Sequence, residues 1–276
     1  MSAARGLTPG WAALGILPLA VLLLVFVLPV FRFLLFSIED GSLAHFEKAL
    51  TDGLHMPVFA RTLEIAAIVT LACLLIGYPF AHWLATTGPV WRMLGFAFVL
   101  LPFWISVLVR TYAWMILLGR NGIINRNLVA SGIVDAPLPL LHNTTGVVIG
   151  MVHVLLPYMI FPLYAVMRRM DPALVSAAQG LGAPGWQVFR RVYLPLTLPG
   201  VLSGATLVFV VSLGFFITPA LLGGGRVLMI GVLIERQVRQ FLDWGLAAAL
   251  AVIVLAVALA IYAALRRILK ADMQWT

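Results

Sequence analysis

The chain has 276 residues, 63% of them hydrophobic and 10% charged, with a mean hydropathy of +1.07. A water-soluble domain carries about a quarter of its residues charged and under half apolar, so this composition excludes a soluble globular protein and indicates an all-α integral membrane protein. The formal charge of +8 fits cytoplasmic Lys/Arg beside anionic headgroups. No nucleic-acid motif occurs, and the single cysteine, Cys73, excludes an intrachain disulfide.

Residues 1–10 are polar and contain Arg5. The apolar run from Trp11 to Phe36, interrupted by Arg32 alone, is longer than the 7–15-residue core of a signal peptide, so it reads as an uncleaved first span with Arg32 snorkelling outward. Residues 37–61 form a polar loop with Glu39, Asp40, Glu47, Lys48 and Asp52. Further spans are expected over about 62–84, 93–109, 146–167, 200–222 and 244–265, the last closed by Arg266, Arg267 and Lys270. Thr86-Thr87-Gly88-Pro89 is a tight turn. Residues 111–143 are mixed, with Tyr112 and Trp114 suited to the membrane interface. The apolar octet Val227 to Ile234 is too short to span, and Glu235 and Arg239 are spaced to pair on a short helix.

Six spans place both termini on one side. With the termini inside, the cytoplasmic cations are Arg5, Arg92, Arg168, Arg169, Arg190, Arg191, Arg266, Arg267 and Lys270, nine of eighteen. The raw count therefore ties, and the crowding of these nine against span ends favours termini in the cytoplasm.

Between the fourth and fifth spans, Met167 to Pro199 is flanked by Arg168, Arg169, Arg190 and Arg191 and cannot lie in hydrocarbon. Asp171 is a good N-cap and Pro172 suits the first helical position. Leu174, Ala177, Ala178 and Leu181 form one apolar stripe at i, i+3, i+4, i+7, and Gly182 sits where a helix ends in a left-handed residue. Pro184 opens a second short helix that Pro195 is expected to stop. Local chemistry leaves two roles open for this pair, an interfacial helix on the membrane or a docking element for a cytoplasmic partner.

Ser176-Ala177-Ala178, Gly182, Val192, Leu194 and Pro195 reproduce the spacing E-A-A-x-x-x-G, nine residues, I-x-L-P, with Ser for Glu and Val for Ile. In this the chain resembles the inner-membrane permease subunits of bacterial ABC importers. The stretches Leu101–Trp114, Gly150–Tyr158 and Ser212–Gly224 look like the spermidine/putrescine branch of that family. The resemblance covers about Arg61 to Arg267. It implies a type I transmembrane domain over 61–267, preceded by a tail, first helix and outer loop (1–60) and followed by a cytoplasmic tail (268–276). It further implies that the loop 168–195 couples the chain to a cytoplasmic ATPase dimer through Ser176, Ala177, Ala178, Gly182, Leu194 and Pro195. A second permease subunit and an extracytoplasmic solute-binding protein complete the implied assembly in the bacterial inner membrane. The implied cargo is a small organic cation such as a polyamine, or an opine or amino-acid derivative.

No enzyme site is present. A phosphate-binding loop needs Gly-Lys-Ser/Thr, and the two lysines, Lys48 and Lys270, follow Glu47 and Leu269. ATP and its magnesium are therefore expected on the separate ATPase, with no cofactor or metal in this chain. Four residues are candidates for lining the pathway. His153 lies within a span, where an ionisable group is a functional candidate, the plainer alternative being a neutral ring bonded to a neighbouring helix. Glu64 at the start of the second span offers a carboxylate to a cation or simply reaches solvent. Phe215 and Phe216 offer aromatic faces to an ammonium or ordinary packing, beside a helix break at Gly214 and Pro219. Gly200 and Gly204 are spaced for close helix contact. An ion-gradient-driven transporter or a membrane scaffold remains the alternative; the former usually carries intramembrane carboxylates and repeat symmetry.

Overall fold

A computed structural model describes residue 16, residues 18–39 and residues 41–272. Arg5, Trp11 and Asp40 lie outside the described residues. The described residues contain helices and no strand. They divide into two units, one of residues 1–52 and 234–253, the other of residues 53–233 and 254–276.

In the first unit, α1 (Pro18–Ile38) is apolar but for Arg32 and Ser37 near its end and almost wholly exposed, as expected of a helix whose solvent is lipid. The polar segment after it folds into the short α2 (Ala44–Thr51). The unit also holds the end of α11 (Ile230–Arg236), a wide helical turn at Gln237–Phe241 and the start of α12 (Trp244–Asp272). Glu235 and Arg239 form the expected i, i+4 ion pair at 3.4 Å.

The second unit is built on α3 (His55–Thr86), α7 (Thr144–Arg169) and α9 (Gly185–Leu213). Ile65, Val69 and Cys73 of α3 recur every four residues on one face. They meet Met151, Leu155, Met159 and Leu163 of α7 and Val208 of α9 in one buried core. Lipid cannot drive such helices together by hydrophobicity, so close backbone approach must. Gly204 supplies it: a Cβ there would stand 3.1 Å from the Met159 carbonyl oxygen and 3.3 Å from Met159 Cα. Gly200, one turn earlier, lies as close to Pro162 and Leu163. The glycine pair thus faces the backbone of α7.

Two spans differ from their expected form. The run expected over 93–109 is α4 (Pro89–Leu100), continued by a tight turn to Trp104, and then α5 (Val107–Leu118), bent from it by 100°. Ile105 is extended, and Ser106 restarts the chain as an N-cap, its hydroxyl accepting from Leu108 N at 3.3 Å. A cap inside a hydrophobic run is hidden from hydropathy. The described residues thus contain five helices long and apolar enough to cross a membrane, and a sixth if this bent pair counts as one crossing. After α6 (Ile123–Ala130) and α7, the second departure is at Pro195, which does not stop a helix. A wide turn over Phe189–Tyr193, in which Leu194 N–H reaches back to the Phe189 carbonyl, absorbs the proline, and α9 continues through Pro199 to Leu213. Expected over 200–222, this span begins at Gly185 and breaks at Gly214–Phe216 before α10 (Ile217–Leu222).

Candidate functional site: the loop between α7 and α9

The loop leaves α7 at Met170 and enters α8 (Pro172–Gly180) under an N-cap in which Asp171 Oδ1 accepts from Ala173 N at 2.9 Å. Its exit is a two-bond reversal. Gly182 N donates to the Gln179 carbonyl at 2.9 Å and Ala183 N to the Ala178 carbonyl at 3.2 Å. This closes the C-terminus with Gly182 at φ +84°. Side chains rarely take that conformation, so the glycine is required by the turn. Ser176 Oγ turns back to the Pro172 carbonyl at 3.2 Å and remains exposed.

The apolar stripe of α8 is not consumed inside the protein. Leu174 is 47% exposed, Leu181 90% and, on the following turn, Trp186 67%. Four positions of the spaced motif, Ser176, Ala177, Ala178 and Gly182, belong to α8 and its reversal. Of the other three, Val192 lies in the wide turn, and Leu194 and Pro195 lie inside α9 just past it.

Tyr78, His82 and Thr197, not singled out from the sequence, tie this loop to the helical body through the second short helix, on which the sequence places Trp186, Phe189 and Tyr193. Tyr193 Oη and His82 Nδ1 share a hydrogen bond of 2.6 Å, and Tyr78 Oη and Thr197 Oγ1 one of 2.9 Å, joining the end of α3 to the start of α9. Trp186 stacks on Phe189 at 5.7 Å and Phe189 on Tyr193 at 6.2 Å, with Tyr78 edge-on to Phe189. Tyr78, His82, Phe189 and Tyr193, with Val175 and Gln179 of α8, line an open groove of about 520 Å³. The aromatic spacing Trp186, Phe189, Tyr193 at i, i+3, i+7 was visible as a helical face; its partners on α3 were not.

The pathway candidates are dispersed. His153 Nδ1 accepts from Trp114 Nε1 at 3.0 Å, a neighbouring-helix partner for an otherwise half-buried ring. Glu64 is exposed and lies 3.5 Å from Arg61. Phe215 packs on the core, while Phe216 is partly exposed at the break before α10. No hydrogen bond or ring contact among the described residues joins Glu64, His153 and Phe216. Arg110 on α5, which no motif singles out, has its Nε and Nη1 buried with no acceptor among the described residues.

α8 thus keeps an uncovered apolar face beside the hydrogen bonds that join α3 to α9. The family model of the binding-protein-dependent transport system inner membrane component matches residues 17–274. The spermidine/putrescine transport system permease protein PotB of Haemophilus influenzae is 40% identical over 203 residues, covering 74% of this chain and 71% of its own. The protein of that name in Escherichia coli K12 is 38% identical over 224 residues, covering 80% and 82%. A chain from the crystal structure of a bacterial alginate ABC transporter in complex with an alginate pentasaccharide-bound periplasmic protein shares the fold. Its TM-score is 0.74 at 20% identity, with 92% of each chain covered. The helical architecture, the reversal at Gly182 and a match that spans nearly the whole length place this chain in the family of binding-protein-dependent transport system inner membrane components.

Proposed function

We propose that the chain forms half of the translocation pathway of an ATP-driven importer for a small organic cation such as a polyamine. Its partners are a second permease subunit, a cytoplasmic ATPase dimer and an extracytoplasmic solute-binding protein. ATP and its magnesium belong to the ATPase, and this chain is non-catalytic. Both termini and the loop 168–195 face the cytoplasm. The observation that carries the coupling role is the exposed stripe of α8 ahead of the left-handed Gly182. Movement of α8 passes through the aromatic stack into α9, which runs unbroken for 29 residues, about 43 Å at ~1.5 Å per residue. At the far end, the break at Gly214–Phe216 lets α10 respond as a separate piece. The solute class rests on the 38–40% identity to proteins named for spermidine and putrescine.

Reconstituted vesicles holding the permease pair, the ATPase and the binding protein should take up a diamine only when ATP is supplied. ATP-independent uptake sinks the reading. Reporter fusions after Arg191 and Lys270 should read cytoplasm and those near Asp52 the outside; an external signal at Arg191 overturns the topology.

One observation favours a second solute class. Arg110 presents two buried guanidinium nitrogens without acceptors among the described residues, and an orphaned charged donor is costly. A zwitterion such as an amino-acid derivative would bring a carboxylate. Competition between a diamine and an amino acid in the same uptake assay separates the two classes.

A further inference from the structure

A second cavity, of about 480 Å³, lies in the unit of residues 1–52 and 234–253. Its walls are Phe36, Glu39, His45, Leu242, Asp243, Trp244 and Gly245. The lining includes two carboxylates and two aromatic rings, and neither an arginine nor a lysine. Phe36 and Trp244 stand 6.2 Å apart at 50°, and Phe33 meets Trp244 edge-on at 6.4 Å. Trp244 is 45% exposed. This pairing of carboxylate with aromatic face is the chemistry that replaces water around an ammonium.

Asp243 already shows what that chemistry takes. Its Oδ2 accepts from Lys48 Nζ at 2.9 Å, and Oδ1 lies 3.9 Å from His45 Nδ1 while accepting from Leu246 N at 2.9 Å. The carboxylate is thus oriented by the start of α12 and holds a primary ammonium at its open side. Lys48 is itself half-exposed, so it can swing away. Close packing fixes the wall opposite: a Cβ at Gly245 would come within 2.3 Å of the His45 ring, so only glycine lets that ring lie against the helix start. Arg32 lines a neighbouring cavity with Phe36 and Glu39.

We propose that the Glu39–Asp243–Trp244 cavity binds a protonated primary amine, which takes the place of the Lys48 ammonium on Asp243. The cavity lies where α1 ends and α12 begins. On the organic-cation reading above, which this inference rests on, that is the outer face, and the cavity is an entry subsite for the solute. The same ammonium chemistry is carried by a phosphatidylethanolamine headgroup.

The test is calorimetric titration of the full-length chain, in nanodiscs of phosphatidylglycerol, with 1,4-diaminobutane. Saturable binding is expected. Glu39→Gln should weaken it about tenfold by removing one opposing charge, and Trp244→Leu about fivefold. Lys48→Gln should tighten it about fivefold, because the internal competitor is gone; a gain cannot come from misfolding. Absence of saturable binding in both the parent and Lys48→Gln chains overturns the proposal, as does a Lys48→Gln chain that binds no tighter. Repeating the titration in discs containing phosphatidylethanolamine separates the sources, and either result supports the site. Unchanged affinity assigns it to the free amine, and competitive loss assigns it to the headgroup. The measurement uses neither ATPase nor transport. Its failure therefore leaves the importer reading intact, and failed uptake with amine binding preserved sinks that reading alone.

Discussion

Replacing Gly182 with valine tests the link from backbone geometry to coupling. Nothing lies within 4 Å of a Cβ built at Gly182, so the substitution meets no steric wall. Its whole cost is conformational, because φ is +84°. A left-handed backbone costs an L-residue roughly 1–2 kcal/mol, and a β-branched side chain sits at the upper end. That shifts the reversal about 5- to 30-fold towards opened forms. The bonds at stake are those from Gly182 N to Gln179 and from Ala183 N to Ala178, which hold the end of α8. The core formed by α3, α7 and α9 is untouched, so thermal unfolding of the purified chain should move by less than a degree or two. ATP-driven uptake in reconstituted vesicles should fall about fivefold or more, with ATPase co-purification reduced. Gly182→Asn, which tolerates the left-handed region, should retain most of the activity. Uptake at the parent rate in Gly182→Val, or an equal loss in Gly182→Asn, would refute the claim that the left-handed turn sets the coupling geometry.

Gly204→Ala should destabilise the chain by about 1–3 kcal/mol, because its Cβ would meet Met159 Sδ at 2.8 Å and, beside it, the less yielding Met159 backbone at 3.1–3.3 Å; detergent unfolding curves measure it. Glu64→Gln should lower uptake of a doubly charged amine more than that of a zwitterion if Glu64 lines the pathway. Equal rates for every solute would restrict Glu64 to its pairing with Arg61. Burial pushes the Asp243 carboxyl up, but the Leu246 N–H, the Lys48 ammonium and the His45 ring outweigh it and hold it below its usual value. The stability this group contributes is therefore complete above the unfolded carboxylate value of about 3.9 and is lost as pH falls through the lower folded value. Thermal unfolding of the parent chain should weaken below pH 4 more steeply than that of Asp243→Asn.

The membrane class, the helical fold and the positions of α3, α7 and α12 follow from hydropathy alone, since a bilayer demands about 20 apolar residues in a row whatever surrounds them. The loop between α7 and α9 was legible for a related reason. Asp171, Pro172 and Gly182 act on their own backbone within a few residues, so cap, first turn and left-handed stop are local chemistry. The exposed stripe of α8 could be read as a stripe, because helical period is local too. Its exposure among the described residues could not, because burial is a property of what lies opposite. The same limit explains the two misplaced boundaries. Ser106 breaks a hydrophobic run by a single hydrogen bond to Leu108, which hydropathy averages away, and Pro195 fails to stop α9 because the wide turn before it absorbs the ring. Which residues meet across long stretches of chain was decided by tertiary structure alone. Tyr78 meets Thr197, His82 meets Tyr193 and Lys48 meets Asp243 through side-chain hydrogen bonds. The sequence carries the donors and acceptors, but only the packing of helices brings each pair within about 3 Å.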